Sequence, residues 1–207
     1  MRTAGMTVIH TPDADHERRS FFRIMDEVIL SYRRLDPDAP ESLQKQPHPS
    51  RDAYALSSKL ALLQQQSQIL LWRVEKDDPA LAGYLELLEE KIQTITDYLL
   101  DQDSQWETRH TQQVTLSGSC MAYTSETCQE IGARLELRLI LLPRRTGLLL
   151  NGQVTACQAI PSSQGLRYQI VVDFTEVSED DQEILISHLI KKQQEQLRSD
   201  KEQTQTP

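Results

Sequence analysis

A leucine stripe with a period of 3.5 residues limits what this chain can fold into more than any other feature. Leu81, Leu85, Leu88, Ile92, Ile95 and Leu99 follow one another in steps of 4-3-4-3-4. An apolar repeat at that spacing lies along one side of an α-helix and forms the seam of a left-handed supercoil. Asp78-Pro79 marks its start. The aspartate can cap the helix, and proline at the first helical position lacks only an N–H that the helix leaves unbonded anyway. From Pro79 to Leu100 such a helix is about 33 Å long at 1.5 Å per residue. An earlier stripe, Leu56, Leu60, Leu63, Ser67, Leu70 and Val74, has the same spacing with one polar interruption at Ser67.

Residues 51–101 therefore read as a helical hairpin. Leu62, Ile69, Tyr84 and Leu87 widen its apolar surface beyond two positions per heptad. The plain reading packs this hairpin on its own domain. The sharper one is self-association, because one hairpin has too little surface to cover so wide a stripe. Leu81, Leu85, Leu88, Ile92, Ile95 and Leu99 are then the oligomerisation residues. Ile95 at a d-type position suits more than two strands if the helices run parallel.

Around the hairpin the pattern changes. Residues 1–17 are polar and aperiodic, and read as a flexible arm. Residues 18–34 hold an arginine-rich stretch and a first strand around Val28-Ile29-Leu30-Ser31-Tyr32. Residues 35–50 carry Pro37, Pro40, Pro47 and Pro49 among polar side chains, which makes a linker. From 110 the period becomes two. Gln113–Leu116 and Met121–Tyr123 flank Ser117-Gly118-Ser119, and Leu135, Leu137, Leu139 and Leu141 alternate with Arg134, Glu136, Arg138 and Ile140 as in a half-buried strand. Further runs at Leu148–Ala159 and Tyr168–Phe174 are separated by turn signals. Short strands at this spacing indicate a small barrel or sandwich. Ser178 opens a last helix, with Ile184, Leu185, His188, Leu189 and Lys192 on one side. Residues 110–198 thus complete the strand domain, and the Gln/Glu/Lys-rich residues 199–207 read as a disordered tail. The expected class is α+β: an antiparallel barrel with helices inserted after its first strand.

Composition excludes more than it assigns. A formal net charge of −9 opposes general attraction to nucleic acid or to an anionic membrane. No apolar run reaches the ~20 residues a membrane helix needs. Met1–Asp15 has no apolar core of the secretory kind, so the chain reads as cytoplasmic. Cys120, Cys128 and Cys157 are odd in number and lack CxxC spacing, which gives neither a disulfide framework nor a zinc site. Cys120 and Cys157 are expected as small buried apolar residues. The five histidines share no i, i+4 spacing, so no metal is expected. Ser117-Gly118-Ser119 is not a nucleophile elbow, and the acidic pairs Glu89-Glu90 and Asp180-Asp181 suit solvated helix faces; no catalytic residue and no cofactor are expected.

Arg18, Arg19 and Arg23 remain. Arg19 and Arg23 stand four residues apart with Phe21 and Phe22 between them. Guanidinium forks pair with phosphate oxygens and stack on purines. Taken alone, the segment is a solvated basic stretch ahead of a strand. Together with the later elements it resembles the PilZ family. Arg19 and Arg23 match that family's RxxxR opening, and Val114 to Tyr123 resemble its [D/N]xSxxG strand-turn-strand. The later strands and last helix fall in the family's order, and the helical insertion resembles its atypical, tetramer-forming branch. The resemblance spans roughly residues 16–198. It implies a PilZ-like barrel, a non-enzymatic receptor or adaptor for cyclic di-GMP, a tetramer and an unidentified protein partner. Arg18, Arg19, Arg23, Thr115 and Ser117 would be the ligand residues. Ser117 matches the motif's serine, whereas Thr115 replaces its Asp or Asn and Cys120 replaces its glycine. Threonine lacks the acceptor that meets a guanine edge, and cysteine adds a Cβ where glycine allows close approach. A degenerate scaffold that has lost the nucleotide is the alternative this departure implies.

Overall fold

The computed structural model describes residues 23–36, 49–102, 110–162 and 165–204. Six strands close a barrel in the order β1-β2-β3-β6-β5-β4, with every neighbouring pair antiparallel. They are β1 (Ile24–Arg34), β2 (His110–Leu116), β3 (Cys120–Ser125), β4 (Arg134–Leu141), β5 (Thr146–Ser162) and β6 (Gly165–Glu176). The helices are α1 (Pro49–Asp77), α2 (Pro79–Asp101) and α3 (Glu179–Thr204). Closure leaves no full-length edge to pair with another sheet.

β1 is the hinge strand of the barrel. Its first part, Ile24–Leu30, pairs with β2, and Val28–Arg34 pairs with β4. Ile24, Asp26, Val28 and Leu30 are buried, while Met25 and Glu27 are exposed. That alternation sets the inner and outer faces. Leu135, Leu137, Leu139, Leu148, Leu150, Ile170 and Val172 fill the interior, and Ile184, Leu185 and Leu189 of α3 close it. Ser178 caps α3: its hydroxyl accepts from the Asp181 N–H at 3.1 Å and donates to the Asp181 carboxylate at 2.7 Å.

The helical pair lies between β1 and β2, as its stripe predicts. Asp78 accepts from the Leu81 N–H at 3.0 Å and starts α2 with a proline behind it. α1 docks through Tyr54, Ser57, Ser58, Ala61 and Leu62, a face offset from the heptad positions. Gly147 is the seat of this docking. Its N–H donates to Ser57 Oγ at 2.9 Å, and its carbonyl accepts from Ser58 Oγ at 3.0 Å. A Cβ there would meet Leu100 at 2.8 Å and Tyr54 at 2.9 Å. Arg145, with a positive φ of 54°, turns the chain so that its guanidinium reaches Asp101 at 2.6 Å and Asp97 at 3.5 Å on α2.

Four expectations need correction. Asp181, read with Asp180 as part of a solvated helix face, is buried against Ser58 of α1. β4 is not half-buried: seven of its eight residues are buried, because α1 and α2 cover its outer face. Cys128 and Cys157 are joined in a disulfide with Cα atoms 6.1 Å apart, which a count of cysteines did not foresee. The β3–β4 connection folds back over β5, so residues 29 apart in sequence meet. Cys157 is accordingly not a lone apolar core residue, and the cysteine count gives no evidence of a reducing compartment. Finally, α3 runs on to Thr204 through residues assigned to the tail. Gln, Glu and Lys lose little rotamer freedom in a helix, and the same composition that denies a core still permits one. No helix among the described residues is long and apolar enough to cross a membrane.

Candidate functional site

The start of β1 and the β2–β3 turn form one end of the barrel's outer face. Ile24 pairs with Leu116 and Met25 with Thr115, which in turn faces Ala122 of β3. Arg23 stands one residue before the ladder and is exposed, on the side of the strand shared by Met25. Thr115 is half-buried, and Met25 beside it is 66% exposed. The fold therefore brings Arg23, Thr115 and the Ser117 turn to one edge, although some ninety residues separate them. Arg18 and Arg19 lie outside the described residues.

Ser117 is engaged inside its own turn. Its hydroxyl accepts from the Cys120 N–H at 3.0 Å and from the Ser119 N–H at 3.4 Å, and lies 3.0 Å from the Cys120 carbonyl. Its backbone N–H also donates to that carbonyl, and the residue is buried. A ligand meeting Ser117 has to compete with these bonds. Cys120 is half-buried with its Sγ 3.2 Å from Ser117 Oγ, in the position where the PilZ motif has glycine.

Behind this edge lies a charged group that the motif reading missed. Asp26 points inward, where His188 Nε2 meets it at 2.6 Å and Lys192 Nζ at 3.2 Å. Burial acts to raise its pKa, but the hydrogen bonds and positive charge of His188 and Lys192 outweigh it and hold the carboxyl below its usual range. Gln196 adds a bond to the Met25 carbonyl at 3.1 Å, so α3 fixes the first turn of β1 twice. The signal was present: an aspartate sits in register with Ile24, Val28 and Leu30.

A second polar cluster lies where α1 covers β1 and β4. Glu136 is fully buried and receives Arg33 at 2.9 Å, Arg51 at 3.1 Å and Arg138 at 3.1 Å. Arg138, itself buried, lies over the Tyr54 ring at 5.5 Å. Three guanidiniums around one carboxylate satisfy a charge that would otherwise be costly to bury. Among the described residues no group of three or more side chains is arranged to hold a metal ion.

The expected oligomerisation residues stay largely uncovered in a single chain. Leu81, Leu88, Ile92 and Ile95 are exposed at 47%, 36%, 46% and 61%, and Leu85 and Leu99 are half-buried. Leu56, Leu63 and Leu70 of α1 are exposed as well. The two helices also meet at the polar position of the α1 stripe, where Ser67 Oγ donates to Glu89 at 2.8 Å.

No family model matches the chain, and no curated protein does. Among solved structures, it is similar to a Xanthomonas campestris protein described as a tetrameric PilZ domain self-assembled through an unusual helical bundle. That likeness has a TM-score of 0.56 at 18% identity and covers 90% of this chain and 96% of the other. The Bacillus subtilis inhibitor of motility aligns over 43% of this chain and 44% of its own, at 19% identity and a TM-score of 0.36. MrkH of K. pneumonia in its apo state aligns over 43% and 46%, at 18% identity and a TM-score of 0.33. The chain has the PilZ fold, with a helical hairpin inserted between the first two strands of its barrel.

Proposed function

We propose that this chain is a non-enzymatic, cyclic di-GMP-binding adaptor of the helix-inserted PilZ type, which self-associates through α1 and α2. The observation that supports the ligand half is the placement of Arg23, Thr115 and the Ser117 turn at one edge of a PilZ-type barrel. Arg19 and Arg23 would clamp phosphate and stack on guanine, with Arg18 adding charge. Thr115 would contribute its hydroxyl to a base edge. The uncovered heptad stripe supports the assembly half, and the Xanthomonas campestris structure is a tetramer built on a helical bundle. Calorimetric titration with cyclic di-GMP tests the ligand. Saturable binding that falls at least about tenfold, or 1.4 kcal/mol, in Arg19→Ala/Arg23→Ala supports the clamp. Unchanged affinity in that variant removes it.

A second reading has its own observation. The Ser117 hydroxyl is committed to its turn and Cys120 occupies the motif's glycine position. A scaffold that has lost nucleotide binding and works through protein contacts fits those facts. It is the outcome if titration shows no binding while the assembly persists.

A further inference from the structure

Away from that edge, α1, α3 and the β4–β5 turn line a half-open cavity of about 260 Å³. We infer that it is a second binding site, one that takes a mononucleotide: a phosphate monoester carrying a planar, hydrogen-bonding ring.

Its walls differ in chemistry. Ala61, Leu141, Pro143 and Ile184 supply an apolar floor, against which the face of a ring can lie. Gln64, Gln65 and Gln68 of α1 form one wall. None of these carboxamides has a hydrogen-bond partner among the described residues. Each offers an acceptor oxygen and two donor hydrogens, the complement of a nucleobase edge. Arg144, Lys191, Lys192 and the imidazole of His188 line the remaining side, with Glu195 as the one carboxylate.

These basic side chains divide into two groups. Lys192 and His188 are committed to Asp26. Arg144 and Lys191 are exposed and have no ion-pair partner among the described residues. The backbone of Arg144 is nonetheless fixed, because Gln93 Nε2 donates to its carbonyl at 3.1 Å and Arg145 beside it is held by Asp97 and Asp101. An arginine on a fixed backbone and an uncommitted lysine lining the same cavity suit a phosphate dianion. In a chain of net charge −9, uncommitted cations converging on one cavity are not explained by general surface composition. The cavity is larger than inorganic phosphate requires and lies just below the ~300–1,000 Å³ range of small-molecule sites, so it fits one nucleotide rather than a dinucleotide.

Equilibrium titration of the full chain with AMP, GMP, adenosine, guanosine and inorganic phosphate tests this. The expected result is saturable binding of AMP or GMP, with the nucleosides and inorganic phosphate at least about tenfold weaker. Arg144→Ala/Lys191→Ala should lose at least about tenfold in nucleotide affinity, or 1.4 kcal/mol. Both positions are exposed, so the variant should fold as the wild type does. Arg19→Ala/Arg23→Ala should leave that affinity unchanged, which separates this site from the proposed cyclic di-GMP edge. Any of three results would overturn the assignment: no nucleotide binding, equal binding of inorganic phosphate, or nucleotide affinity unaffected by Arg144→Ala/Lys191→Ala.

Discussion

Two buried aspartates have opposite relations to pH, and their surroundings explain why. Asp26 has His188 and Lys192 against it, so its carboxyl titrates below the usual range. A folded-state pKa below the unfolded one contributes stability above pH ~4 and loses it as pH falls through the folded value. Asp26→Asn should therefore cost about 1–3 kcal/mol near neutrality, and that cost should shrink in acid. Asp181 is also buried, but burial and the neighbouring Asp180 push it up more than the hydrogen bonds from Ser58 and Ser178 pull it down. Its contribution has the reverse sign: present in acid, and lost as pH rises through the raised folded pKa. Asp181→Asn should gain stability relative to the wild type as pH rises above the ordinary carboxylate range. Urea denaturation at several pH values checks both, and parallel pH profiles for the two variants would refute the assignment. Residue-level function was only partly legible in the sequence. Arg23 is singled out by its RxxxR spacing, whereas Thr115 stands where the motif has Asp or Asn. That the Ser117 hydroxyl is turned onto Cys120 depends on the geometry of one turn, and residue type does not reveal it.

Among the elements, the helical pair was the most legible and its seating the least. Heptad spacing and the Asp78-Pro79 start depend on local chemistry alone, so α2 could be placed from its own residues. Which face of α1 meets the barrel is a tertiary matter, decided by Tyr54, Ser57 and Ser58 against Gly147. For the same reason β4 reads as half-buried in sequence and is covered on both faces in the fold. The Cys128–Cys157 disulfide was missed because its two elements adjoin only once the barrel closes. Gly147→Ala tests the seating. The added methyl would need Leu100 and Tyr54 to give way, and overpacking of this kind typically costs about 1–3 kcal/mol. The loss should appear in the denaturation midpoint and as faster hydrogen exchange in α1. A variant as stable as the wild type would mean that the hairpin is not seated on Gly147.

For the molecule as a whole, the apolar stripe is the surface still to be covered. Leu81, Leu88, Ile92 and Ile95 cannot turn inward, because α2 already spends its other face on α1 and the barrel through Ala82, Thr96 and Leu100. Apolar area is worth roughly 25 cal/mol per Å² when removed from water, so a continuous row of such side chains favours association. Replacing Leu88 and Ile92 by glutamine should then dissociate the assembly. Those side chains are exposed in the single chain, so the barrel should keep its circular dichroism and its resistance to urea. Sedimentation at micromolar concentration gives the readout: a multimer for the wild type and a smaller species for Leu88→Gln/Ile92→Gln. A wild-type monomer would defeat the self-association reading outright, since the stripe would then be stably exposed to water.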